Sequence, residues 1–253
     1  MLDRWPATAY PSSIHGRCAG LAPQNIAQMT FSNQQGNRDE MRIGGIILCG
    51  GKSSRMGWPK AMLPFGPETM LHRVLRRLGE VVQTLVVVAG PHQALPDLPS
   101  TVVVARDRRE DCGPLEGLAV GLQALGDRVQ AVYATACDVP LLEPAFVRRE
   151  LELLDDHDVV VPVDGQFHHP LAAVYRTAVL PEVERLLAAD RLRPIFLYDA
   201  VDTLRVPVEQ FRSVDPHLQT LANLNRPADY FAALRAAGYE PPPEIVQALT
   251  GNA

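Results

Sequence analysis

Ile46-Ile47-Leu48-Cys49-Gly50-Gly51-Lys52-Ser53-Ser54-Arg55-Met56-Gly57-Trp58-Pro59-Lys60 decides how this chain is read. It opens as a short apolar run, the pattern of a strand buried on both faces in a parallel sheet. It then breaks into glycines, serines and the cations Lys52, Arg55 and Lys60. Glycines behind a strand let the backbone approach a ligand and expose its N–H groups, a common way to hold phosphate oxygens. Mobile positive charge beside fixed donors makes an anion site, and a nucleoside triphosphate is the natural anion.

Two familiar phosphate loops fail on spacing. A Walker A sequence places a glycine five residues before the Gly of Gly-Lys; for Gly51 that position is Ile46, and Gly45 is one residue out of register. No Gly-x-Gly-x-x-Gly marks a dinucleotide turn. What remains is a strand followed by Leu48-x-Gly50-Gly51-x-Ser53-x-Arg55-Met56-Gly57 and then a lysine.

Outward from this stretch, strands and helices alternate. The first strand covers 44–49 and the loop 50–60. Thr69 caps a helix to Leu78 whose apolar face is Met70, Leu71, Val74, Leu75 and Leu78. Strands follow at 84–89 and 101–105. A second glycine loop, Cys112-Gly113-Pro114-Leu115-Glu116-Gly117, leads into a helix to Leu125. A strand at 129–136 ends at Cys137-Asp138-Val139-Pro140, and Pro144 opens the next helix, where a missing N–H costs least. Strands at 159–163 and 171–175 bracket the turn Asp164-Gly165. Helical stretches at 178–189 and 194–199, a strand at 203–206 and a helix from Pro227 to Ala237 complete the pattern, with a further short helix in the tail. The expected fold is α/β, a three-layer sandwich on a mostly parallel sheet. In such sheets ligands bind beyond the carboxyl ends of the strands. Gly50 and Asp138 both fall there.

Composition bounds the rest. The net charge of -5 argues against nucleic acid or an anionic membrane as bulk partner, so any cation cluster is local. No apolar run approaches the roughly 18 residues of a membrane span. The four cysteines form no CxxC pair, which reads as thiols in a reducing, cytoplasmic setting. Residues 1–40 are rich in Pro, Ser, Gln and Asn without sustained periodicity. They read as a disordered extension or as the product of an upstream start codon, with Met41 the true start. Residues 41–240 then form a single domain and 241–253 a short tail.

Several residues admit two readings. Asp138 carries ligand chemistry or caps the helix near Pro144. Asn223 and Asn225 meet a ligand or form turns. Asp107 lies among Arg106, Arg108 and Arg109, as a nucleotide contact or in a surface ion pair, and the three arginines alternatively form an acceptor-phosphate patch.

The stretch Leu48–Gly57 followed by Lys60 resembles the signature of the MobA-like nucleotidyltransferases, and within them is most similar to the guanylyltransferases of molybdenum cofactor synthesis. Further matches follow in order: Asp107, Gly113-Pro114-Leu115-x-Gly117, Cys137-Asp138-x-Pro140, His169-Pro170 and Asn223-x-Asn225-x-Pro227. The resemblance spans residues 43 to 237 and implies a nucleotide-diphospho-sugar transferase-like, Rossmann-like fold. It implies transfer of GMP from GTP to the phosphate of molybdopterin cofactor with release of pyrophosphate. Leu48, Cys49, Gly50 and Gly51 would meet the base and ribose, with Asp107 and Gly113 helping to hold the nucleotide. Arg55 and Lys60 would hold the triphosphate, and Asp138 would carry Mg²⁺. His169, Asn223 and Asn225 would lie on the acceptor side. Implied partners are GTP, molybdopterin, a molybdenum-inserting enzyme and apo-molybdoenzymes or their chaperones. Gly50-Gly51 favours GTP, since CTP-using relatives tend to carry Ala-Gly. The alternatives are a cytidylyl- or sugar-1-phosphate nucleotidyltransferase, or a non-catalytic protein that binds GTP and pterin for delivery.

Overall fold

A computed structural model describes residues 41–50, 56–109 and 112–251. In chain order the elements are β1 (Ile43–Leu48), β2 (Pro64–Phe65), β3 (Glu68–Thr69), α1 (Met70–Gly79), β4 (Thr84–Ala89), β5 (Val103–Arg106), α2 (Gly113–Leu125), β6 (Ala131–Ala136) and α3 (Pro144–Glu152). They continue with β7 (Val159–Asp164), β8 (Phe167–His168), β9 (Ala172–Arg176), α4 (Leu180–Ala188), α5 (Ile195–Tyr198), β10 (Thr203–Pro207), α6 (Pro227–Ala236) and α7 (Pro243–Thr250).

The main sheet has the order β5-β4-β1-β6-β9-β7-β10, with β8 paired to β7. Strand β1 runs parallel to β4 on one side and β6 on the other, so Leu48 stands opposite both Val88 and Ala136. The chain moves from β1 out to β4 and β5, then returns to the far side of β1 as β6. That reversal is the switch point at which such sheets leave a crevice. Strand β9 is antiparallel to β6 and β7. Residues 165–171 are too few for the dozen or more that a parallel crossover needs, so the chain turns back directly.

Helices cover both faces. On one, α2, α4 and α5 pack over Ile46, Val86 and Val88; on the other, α1 and α3 cover Ile47, Val87 and Ala89. The alternation of Ile46 and Ile47 between clusters is the two-sided burial that an all-apolar strand requires. Thr69 caps α1 by accepting from the His72 N–H at 3.3 Å, and α1 buries the five apolar residues expected of it. Helix α2 lies very close to β1. A Cβ at Gly117 would stand 2.9 Å from the Leu48 side chain, and one at Gly121 2.7 Å from that of Ile46.

Three details depart from the sequence reading. The glycine loop at 112–117 is already helical, because α2 starts at Gly113 with Pro114 in its first turn. Strands β5 and β6 each start two residues late. The β2–β3 hairpin was not anticipated. It joins α6 and α7 in a third apolar cluster around Met56, Phe65, Met70, Leu224 and Tyr230, and the Tyr230 hydroxyl donates to the Pro64 carbonyl. Among the described residues no helix is long and apolar enough to cross a membrane.

Candidate active site

The carboxyl ends of β1, β5 and β6 build one rim, and main-chain bonds carry the ladder past each strand. Cys49 N–H donates to Val88 O at 2.8 Å, Cys137 N–H to Leu48 O at 3.0 Å and Asp107 N–H to Ala89 O at 2.9 Å. Cys49, Asp107 and Cys137 are thus tied to the neighbouring strands by the ladder itself. Gln93 braces the exit of β1: its side-chain amide donates to Cys49 O at 2.8 Å and its carbonyl accepts from Gly90 N–H at 3.1 Å. A lone glutamine in a loop carries no sequence signal for that role.

Lys60 opens a short 3-10 turn, Lys60–Met62. Its ammonium donates to Asp138 Oδ2 at 2.7 Å and to Asn225 Oδ1 at 2.9 Å. Asn225 reaches this point for a backbone reason. Leu224 N–H donates to Asp138 O at 2.9 Å, docking the segment on the end of β6. At the start of α6, Asp229 Oδ2 accepts from the N–H groups of Asn225 and Arg226 at 3.2 and 2.9 Å.

Two carboxylate oxygens on this rim are buried and lack a partner among the described residues: Asp138 Oδ1 and Asp107 Oδ1. Burial, and then the negative charge of Glu116, push the Asp107 pKa up. Gly50 makes room beside it, since a Cβ there would stand 3.1 Å from Asp107 Oδ2. A cavity of about 490 Å³ opens over the rim, within the range that takes a small organic ligand. Leu48, Cys49, Gly50, Lys60, Asp107, Gly113, Asp138, Asn223 and Asn225 all line it.

Most of the expected site residues therefore meet in one place. Gly51 and Arg55 lie outside the described residues. His169 is not on the cavity wall; its N–H donates to Pro162 O at 3.0 Å, its Nε2 is buried without a partner among the described residues, and burial lowers its pKa. Asp138 does not cap α3, whose N-cap is Glu143. Nor do the arginines form a joint patch. Arg106 donates to the carbonyls of Gly90 and Gln93, Arg108 to Glu116 and Glu184, and Arg109 to Glu116. The buried Glu116 drives this division, because a carboxylate out of water demands cationic partners.

The same geometry tests for a metal. Among the described residues no group of three or more His, Cys, Asp or Glu is placed to hold one. Asp138 lines the cavity and its Oδ1 has no partner among the described residues, which suits a hard divalent cation that completes its shell with phosphate and water oxygens. It does not suit a protein-caged zinc.

A model of the MobA-like NTP transferase domain matches residues 45–203. A probable molybdenum cofactor guanylyltransferase of Mycobacterium avium is 35% identical over 204 residues, covering 78% of this chain and 98% of that protein. One of Carboxydothermus hydrogenoformans, with the same description, is 36% identical over 193 residues, covering 75% and 93%. Among solved structures, molybdopterin-guanine dinucleotide biosynthesis protein A of Archaeoglobus fulgidus superposes with a TM-score of 0.63 at 20% identity, over 77% of this chain and 98% of that one. A 4-diphosphocytidyl-2C-methyl-D-erythritol synthase of Anaerococcus prevotii superposes with a TM-score of 0.57 at 12% identity, over 78% and 96%. At those identities the two structures bear on the fold alone.

Proposed function

The chain belongs to the MobA-like NTP transferase family, and from that premise we propose that it transfers GMP from GTP to the phosphate of molybdopterin, releasing pyrophosphate and forming the guanine dinucleotide cofactor. The observation that carries the reading is Lys60 shared between Asp138 and Asn225 at the mouth of a nucleotide-sized cavity. It puts a cation, a metal-competent carboxylate and an amide at one strand end.

In the reaction an oxygen of the acceptor phosphate attacks the α-phosphorus of GTP. The new O–P bond forms as the bond to the α–β bridging oxygen breaks, and pyrophosphate leaves with that electron pair. The acceptor brings its own nucleophile, so the protein's task is positioning and charge neutralisation. Lys60, with Arg55, holds the α-phosphate and its neighbours, while Asn225 steadies the lysine. Leu48 to Gly51, Asp107 and Gly113 seat base and ribose. Asn223 and His169 belong to the acceptor side. Asp138 holds a divalent cation, Mg²⁺ by the oxygen chemistry above; when bound, that ion offsets charge developing on the phosphates. A reaction that consumes GTP fits a cytoplasmic protein. Its product passes on to molybdenum-inserting enzymes and apo-molybdoenzymes or their chaperones.

The test is pyrophosphate release with molybdopterin and GTP, set against CTP and UTP. GTP should be the preferred donor, and Asp138→Ala should keep the fold while losing metal-dependent turnover. A preference for CTP, or undiminished turnover in Asp138→Ala, overturns the base choice or the metal assignment respectively.

A further inference from the structure

Among the described residues two cations line the cavity, Lys60 and Arg109, and the strand order sets them apart. Lys60 lies by the end of β6, and Arg109 three residues past the end of β5. Between these strands lie β4 and β1, three inter-strand steps of roughly 4.8 Å, or about 14 Å in all. Phosphates held at Lys60 and Asp138 therefore leave the nucleobase to the end where Asp107 and Arg109 sit.

Arg109 is set up for a ligand by the residues around it. Glu116 is buried, at 1% exposure, and Arg108 already grips it two-pronged: Nε to Oε1 at 3.0 Å and Nη2 to Oε2 at 3.4 Å. Glu184 in turn holds Arg108 from the other side at 3.2 Å. Arg109 touches the same carboxylate through one nitrogen at 3.4 Å, and its side chain is half exposed. Glu116 thus has its counter-ion without Arg109, and serves Arg109 as a tether rather than a partner it must neutralise. A guanidinium has five N–H donors in a planar fork. Two residues back, Asp107 lines the same cavity, and its buried Oδ1 has no partner among the described residues.

We propose that Arg109 is a specificity-determining residue that reads the guanine O6 and N7 edge, with Glu116 as the positioning residue that aims it. This rests on the reading of the chain as a GTP-using transferase. Guanine presents two adjacent acceptors, O6 and N7, to a guanidinium fork, and donors at N1 and N2 to a carboxylate. Adenine puts an amino group where O6 stands and turns a donor against the arginine. Cytosine has no N7. The Asp107–Arg109 pair, an acceptor beside a donor fork, matches guanine alone among these bases.

Calorimetric GTP binding and steady-state turnover on the full chain, with GTP, 7-deaza-GTP and ATP, test the assignment. One bidentate base contact corresponds to about 5- to 150-fold in discrimination. Arg109→Ala and Arg109→Lys should weaken GTP binding and raise its KM within that range, leave kcat close to wild type, and abolish the wild-type penalty for 7-deaza-GTP. Glu116→Gln should raise the KM for GTP with kcat retained, and thermal melts establish that each variant is folded. If Arg109→Ala leaves GTP affinity and the 7-deaza penalty unchanged, or raises only the KM for molybdopterin, the assignment is wrong while the transferase reading stands. A wild-type protein that neither binds nor consumes GTP sinks both.

Discussion

The two bonds of Lys60 commit part of its charge to Asp138 and Asn225. Under the roles proposed above, a triphosphate exchanges with Asp138 for the lysine and frees that carboxylate for a cation. Lys60→Met keeps the stem length and removes the exchange. Turnover should fall about 10²- to 10³-fold, the scale for losing one preorganised donor to developing charge, with the melting temperature little changed. Lys60 and Asp138 were both legible in the sequence, as a cation after a glycine loop and an acid after a strand. Their bond was not, because 78 residues separate them and no local pattern records it. Glu150 was invisible for a different reason: it reads as an ordinary polar position on α3. Its two oxygens are buried without a partner among the described residues, and burial pushes its pKa well above the usual carboxylate range. The unfolded chain ionises this group near 4.5 while the folded chain keeps it protonated, so its contribution to stability is greatest below that pH and falls as pH rises towards the folded pKa. Glu150→Gln, which cannot ionise, should unfold at higher urea than wild type near pH 8 and show little gain near pH 4.

Elements with one strong period were read almost to the residue. Helix α1 buries the five side chains that its spacing marks, and Thr69 caps it. The β2–β3 hairpin escaped because two-residue strands have no period to detect. Helix α2 was half legible. Its end was clear, but Gly117 read as part of a glycine loop, whereas it lies inside the helix and brings α2 against Leu48. Gly117→Ala drives a methyl to within 2.9 Å of a Leu48 side chain that also lines the cavity. Overpacking of this kind costs about 1–3 kcal/mol, to be read from denaturant midpoints, and GTP affinity should fall with it because the cavity floor moves.

At the scale of the whole molecule, the reversal of strand order beside β1 explains why the polar residues converge. The site side chains hang from strand ends, from the short turn that Lys60 opens and from the segments around the starts of α2 and α6, and the crevice is where these face one another. The fold class and the rim could be inferred from the alternation of strands and helices. The cavity's far wall could not, since it depends on where Asn223–Asn225 lands. Because the site exists only in the folded state, GTP with a divalent cation should raise the melting temperature in a concentration-dependent way. The stabilisation should approach about 2.7 kcal/mol at a hundredfold excess over Kd, and chelation should remove part of it in wild type but not in Asp138→Ala.

The bond from Lys60 to Asn225 joins residues 165 positions apart. A chain leaving the ribosome can pair β1 with β4 and β6 long before Asn225 has been made. Until then the lysine has only its aspartate, and the third apolar cluster lacks α6 and α7. Competence therefore comes late in synthesis. A product shortened at its carboxyl end would keep the sheet and lose the grip on Lys60, so premature termination would yield protein that folds in part and does not turn over.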